Sequence, residues 1–205
     1  MPLVKRETTG PAGAGQDLSA HLADLTNIDP EARWRAARAL GGRAEAVPAL
    51  AVALGEEQVA RVREAIMTAL MRVGNAASVQ VLLPSLRSQD AAERAAAIEA
   101  LQAMPAAVQP FMAALLADHE ADVRILATEL VRNLPDADAT ALLCALLAHE
   151  AHPNVCAAAI EVLAEVGTQD AIPALEACAR RLADSPFVPF AVSAAIAQIS
   201  GTRQG

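Results

Sequence analysis

Residues 29–50 read DPEARWRAARALGGRAEAVPAL, and their spacing decides the fold. Pro30 suits the first turn of a helix, where its missing N–H loses no bond. Asp29 before it suits the N-cap, where a carboxylate accepts from free backbone N–H groups. Counting from Arg33, Ala36 and Ala37 come three and four residues on and Leu40 seven on, so all lie on one helical face. Val47, Leu50 and Leu54 then mark a second, shorter helix. The stretch is a helical hairpin.

The pattern returns about every 30 residues. Arg63, Arg94 and Arg124 hold the slot of Arg33, and Cys156 and Pro189 hold it in the last two units. Behind these anchors stand Ile66/Met67, Ala97/Ile98, Ala127/Thr128, Ala159/Ile160 and Val192/Ser193, then Leu70, Leu101, Val131, Leu163 and Ile196. Pro153 and Pro186 repeat the position of Pro30. Asp90 and Ser185 repeat that of Asp29, with Asp90 and Glu93 spaced as a capping box. Gly74, Pro105, Pro135 and Gly167, each eleven residues past an anchor, stop the first helices. Second helices follow, with Val79, Leu82 and Leu86, then Val108, Phe111 and Leu115, then Leu142 and Leu146, then Ile172 and Leu175 inward. One hairpin cannot bury its apolar face alone, so neighbouring hairpins must stack.

These spacings predict an all-α fold, a right-handed α-solenoid of about five hairpins, residues 29–56, 57–87, 88–117, 118–148 and 149–183, closed by a half repeat at 184–200. Leu18, Leu22 and Leu25 make residues 17–28 an N-terminal cap helix. The Thr, Gly, Pro and Ala of residues 8–15 place 1–16 in a flexible tail, and 201–205 form a second tail.

The motif D-x-x-V/A-R-x-x-A-A-x-A-L-G followed by A-V-P-A-L resembles the short HEAT-like repeats of the phycobilisome (bilin) lyase type, over about residues 29–200. The resemblance implies that Arg33, Arg63, Arg94 and Arg124 form a ladder between stacked units, paired with carboxylates such as Asp29, Asp90 and Asp122. It also implies an alternative function, a lyase-like subunit that helps attach an open-chain tetrapyrrole. Cys156 and Pro189 depart from the ladder, so the last two units are expected to stack differently or to act as a cap.

Composition narrows the function. The 205 residues are 54% hydrophobic and 20% charged, which suits one continuous core. A formal net charge of −8 argues against a nucleic-acid partner, which needs a basic surface. No apolar run is long enough to span a bilayer, and the start of the chain lacks the apolar centre of a signal peptide. Cys144, Cys156 and Cys178 are odd in number and scattered, as expected of reduced thiols. A cytoplasmic protein, monomeric on its own, is the expectation.

His119-Glu120 and His149-Glu150 are His-Glu pairs one repeat apart, the kind of pair that holds two irons in a HEAT-repeat hydroxylase, deoxyhypusine hydroxylase. Only two such pairs occur, both upstream of their anchors, so solvated loop residues are expected instead. His149, His152 and Cys156 would converge on zinc only within one continuous helix, which Pro153 interrupts. No metal, cofactor or catalytic residue is expected: the repeats hold neither a Ser-His-Asp set nor a phosphate-cradling glycine loop.

Two features point to binding. Arg33, Trp34, Arg35, Arg38 and Arg43 form a basic and aromatic cluster of the residue types that dominate interfaces, although Trp34 equally suits packing under the cap helix. Leu83, Met112 and Leu143 recur three residues after Gln80, Gln109 and Thr140, an apolar stripe along the second helices. That stripe fits either a concave groove for a partner or packing between units, with Pro84 kinking its helix. The expectation is a non-catalytic adaptor or assembly factor whose protein partner carries a basic surface or an amphipathic helix or tail.

Overall fold

The computed structural model describes residues 11–201, with the backbone alone for 11–16. Of the tails expected at 1–16 and 201–205, residues 1–10 and 202–205 lie outside the described residues. Among these residues all regular structure is helical. In chain order the helices are α1 Pro11–Asp24, α2 Pro30–Ala39, α3 Val47–Glu56, α4 Ala60–Val73, α5 Ala76–Leu82, α6 Ala91–Gln102, α7 Pro105–Val108, α8 Met112–Leu116, α9 Ala121–Val131, α10 Asp136–His149, α11 Pro153–Val166, α12 Ile172–Arg181 and α13 Val188–Gly201. Tight 3-10 turns lead into α3, α8 and α12 and follow α5. First and second helices alternate as the spacing predicts, so the fold is an all-α repeat solenoid. No described helix is long and apolar enough to cross a membrane.

The described chain groups into two compact units that divide between Pro84 and Ser85, where the spacing predicts one domain over 17–200. The division falls where α5 gives way to the 3-10 turn Leu83–Arg87. Pro84 has no N–H with which to continue the α-helical ladder, so the expected kink is a change of helix type.

Each unit builds its core from small and branched residues. In the first, Ala37, Leu40, Leu50, Ile66, Leu70, Val79 and Leu82 are all but inaccessible; in the second, so are Ala97, Leu101, Met112, Val131, Leu143, Leu147, Leu163 and Leu175. The alanines let helices approach closely, and the leucines fill the space between them.

Three boundaries differ from expectation. The cap helix runs from Pro11 to Asp24 rather than over 17–28, because a proline at the first helical position starts a helix where composition alone suggests a tail. In α10 the buried leucines are Leu143 and Leu147, one residue on from the expected Leu142 and Leu146, which are half-buried. Adjacent leucine pairs satisfy either choice, so periodicity alone does not settle the face. In α13 the buried set is Val188, Val192, Ala195 and Ile199, while Ser193 is exposed. Val188, Val192 and Ala195 nonetheless stand around Pro189 as Val155, Ala159 and Val162 stand around Cys156, so Pro189 keeps the anchor slot; Ser185 precedes the helix, its Oγ accepting from Val188 N at 3.4 Å.

Candidate functional site

The anchor residues share one local bond. Nη1 of Arg33, Arg63, Arg94 and Arg124 donates to the carbonyl six residues earlier, that of Asn27 (2.8 Å), Glu57 (3.0 Å), Ser88 (2.6 Å) and Asp118 (2.6 Å). Cys156 keeps the position, its thiol donating to the Glu150 carbonyl at 3.5 Å. Each anchor thus ties down the loop that enters its own helix, where carbonyls would otherwise lack partners.

Two anchors also reach a carboxylate of the next repeat. Arg33 donates to Glu57 through Nε and Nη2 at 2.7 and 2.9 Å, and Arg124 to Glu150 at 2.6 and 3.2 Å. These carboxylates replace the expected Asp29, Asp90 and Asp122. Asp29 and Asp90 are engaged as N-caps, accepting from Glu31 N and Ala92 N, and Asp122 lies in the first turn of α9. The Asp90–Glu93 capping box does not form either: Glu93 accepts from the Ser85 and Ser88 hydroxyls at 3.0 and 2.7 Å.

Burial and bonding act on these carboxylates in opposite directions. The hydrogen bond from Arg33, helped by the Val59 and Gln58 N–H groups, holds Glu57 below the usual carboxylate range against the effect of burial. Burial pushes Glu150 up, but bonds from Arg124 and from the His152 and Ala151 N–H groups outweigh it, so this carboxyl too sits low. Both glutamates are ionised structural partners. Sequence reasoning missed them although a signal exists: the slot six residues before an anchor reads Glu57, Ser88, Asp118 and Glu150.

The candidate metal residues separate. Glu150 is held by Arg124 while His149 is exposed, and the exposed His152 stands apart in burial from Cys156, which is wholly buried. Asp118, His119 and Glu120 do place ligand atoms within 4.8 Å of one another. The Asp118 and Glu120 carboxylates are however both paired with Arg87, and the His119 side chain is 81% exposed. This is a surface ion-pair cluster. Deeper in the second unit the Cys156 and Cys178 thiols interact; that interaction, with Arg181 nearby, holds the Cys178 thiol below its ordinary value and, together with burial, pushes Cys156 up. Arg181 also donates to the Leu147 and Glu150 carbonyls at 2.6 and 2.8 Å, closing the end of α10.

The second-helix stripe divides on burial. Met112 and Leu143 are fully buried and Leu83 half-buried, so the first two are core and present no groove. Thr140 is buried as well, its Oγ1 accepting from Thr168 N at 3.0 Å. Gln80 and Gln109 are exposed, the latter donating to Asp138 at 2.9 Å.

The basic and aromatic cluster stays at the surface. Trp34 on α2 is half-buried, with the guanidinium carbons of Arg38 and Arg61 at 4.6 and 4.2 Å from its ring centroid. Arg61 comes from α4 and was not anticipated. It occupies the slot two before its anchor, where the preceding repeat has Glu31, and the two pair at 2.9 Å. Arg33 points away into the ladder, Arg35 and Arg38 are exposed, and the half-buried Arg43 leads the 3-10 turn before α3. Cation–π contact of this kind gives each guanidinium a fixed seat at the ring.

The family model for HEAT repeats matches residues 19–102 and again 108–197. No curated protein matches the chain in sequence. Among solved structures, it is similar to the archaeal HEAT-like repeats protein from Thermococcus onnurineus NA1, at 16% identity over 91% of this chain and 88% of that one, with a TM-score of 0.53. It is also similar to the complex of CpcE and CpcF of phycocyanin lyase from Nostoc sp. PCC7120, at 18% identity over 97% of this chain and 100% of that one, with a TM-score of 0.40. Two matched stretches that together span most of the chain settle its kinship: it belongs to the HEAT-repeat family.

Proposed function

We propose that this chain is a non-catalytic, cytoplasmic scaffold that binds a protein partner through the exposed face of α2 and α4. The observation that carries the reading is the Trp34 indole held at the surface by Arg38 and Arg61, with Arg35 beside it. Tryptophan and arginine dominate the binding energy of interfaces because each presents a large, rigid contact with a polar handle. The non-catalytic part of the reading is supported by the engagement of the polar groups that could do chemistry. Arg124 holds Glu150, and Arg87 holds Asp118 and Glu120. The lyase alternative rests on the sequence resemblance alone.

The test is purification of the tagged full chain from its native host, beside an Arg35→Glu variant of unchanged far-UV circular dichroism. One protein recovered at fixed stoichiometry with the wild type and lost with the variant supports the scaffold and its contact face. Recovery of that protein with both forms moves the contact elsewhere. A free chain carrying metal or a tetrapyrrole spectrum would sink the scaffold reading.

A further inference from the structure

Resting on the scaffold reading, we infer that the α2–α4 face is a docking site for an acidic stretch of the partner, an extended segment bearing neighbouring carboxylates. The inference starts from charge. The chain as a whole carries −8, which favours basic partners in general, yet this face gathers Arg35, Arg38 and Arg61 around one indole. Arg33 is excluded because Glu57 holds it from the next repeat. Arg38 pairs with no carboxylate among the described residues, and the Arg35 Nε donates only to the Glu31 backbone carbonyl, at 3.3 Å.

The geometry leaves room for a carboxylate. Arg38 and Arg61 stand 4.6 and 4.2 Å from the centroid of the same ring, so an anion seated beside the indole meets two positive charges. The one carboxylate bound there is Glu31, paired with Arg61 alone through side chains 60% and 46% exposed. An exposed pair of this kind contributes little, so a partner's carboxylate can displace it at small cost. A guanidinium over an indole still offers its N–H edge to a carboxylate, as Arg61 does to Glu31 at 2.9 Å. Trp34 and Arg35 stand three and four residues after Glu31, and Arg38 seven after it, so all four lie along one side of α2, and Arg61 adds the neighbouring helix. A short extended peptide laid across the two helices meets each of them.

A nucleic acid would fit less well. Its affinity grows with the number of phosphates neutralised over a long basic surface, and on a chain of −8 a polyanion that outgrows this face meets like charge.

Trp34 is the only tryptophan of the chain, so its fluorescence reports the site directly. The full chain is titrated with hexaglutamate, hexaglutamine, hexalysine and an oligothymidylate, with calorimetry as a second readout. The expected result is saturable binding of hexaglutamate alone, weakened several-fold by added salt as screening requires. An Arg38→Gln/Arg61→Gln double variant, exposed at both positions and checked for fold by circular dichroism, is expected to lose about tenfold in affinity, about 1.4 kcal/mol.

Absence of saturable hexaglutamate binding, equal binding of hexalysine, or unchanged affinity in the double variant overturns the acidic docking site. Tighter binding of the oligothymidylate also overturns it, in favour of a nucleic-acid surface. A host partner lost on Arg35→Glu while hexaglutamate fails to bind leaves the scaffold standing and removes only this identification. Hexaglutamate binding without any host protein partner does the reverse.

Discussion

Gly74 and Gly167 both read in the sequence as helix stops, yet the structure separates their reasons. Gly74 caps α4 with φ at 66°, in the left-handed region, and a Cβ there would meet only the Met71 carbonyl oxygen at 3.5 Å, an ordinary contact. Gly167 has an extended backbone, but its Cβ would lie 2.3 Å from the Leu163 carbonyl oxygen. That oxygen is backbone and accepts the Gly167 N–H at 2.9 Å, so it cannot swing aside. Gly74→Ala is expected to cost about 1 kcal/mol, the penalty of a left-handed alanine. Gly167→Ala must displace the last turn of α11 and is expected to cost about 2–3 kcal/mol, in the range of overpacking. Urea denaturation of the two variants measures the order, and a larger loss at Gly74 would show that the end of α11 yields. Spacing alone reveals a stop; which atom enforces it depends on backbone angles that spacing does not carry.

At the scale of the helix, the anchor slot was legible because a residue recurring every thirty or so positions shows in the sequence itself. Its partners were not. Motif resemblance pointed to aspartates at the helix starts, but an N-cap carboxylate is engaged by backbone N–H groups, and the long glutamates of the loop that enters the next repeat reach the guanidinium instead. Arg124 and Glu150 are both largely buried, so Arg124→Leu leaves a carboxylate without its charged partner. The expected loss at neutral pH is about 2 kcal/mol, typical of hydrogen bonds to charged groups. Its pH dependence has a definite sign. The Glu150 carboxyl titrates below its ordinary value of 4.5 in the folded chain, so its contribution is present above that value and is lost as pH falls through the lower folded value. The variant has lost the bond that depresses the carboxyl, so the gap between wild type and variant narrows in acid. Urea midpoints at neutral pH and below about pH 4 test this; a gap that stays constant would mean that the pair contributes nothing.

For the whole molecule, alternating helices and an alanine-rich core were readable from residues 29–50 and their echoes, since helical period and proline punctuation are local signals. The proposed contact face was only half readable. Trp34 and its neighbouring arginines stood out, but Arg61 came from another repeat, and the apolar stripe looked continuous until burial assigned Met112 and Leu143 to the core. The division at Pro84 adds a consequence for folding. In stacked repeats stability is a sum of repeat and nearest-neighbour terms, so a local loss is felt first by the repeats around it. Leu143 is fully buried in the second unit, and Leu143→Ala is expected to cost about 2–5 kcal/mol there, the transfer term plus the cavity left behind. Trp34, the single tryptophan, lies in the first unit and reports its unfolding alone, whereas far-UV circular dichroism reports all helices. The variant is therefore expected to lower the dichroism midpoint more than the fluorescence midpoint, parting two transitions that coincide for a two-state chain. Equal shifts by both probes would mean instead that the two compact units unfold as one.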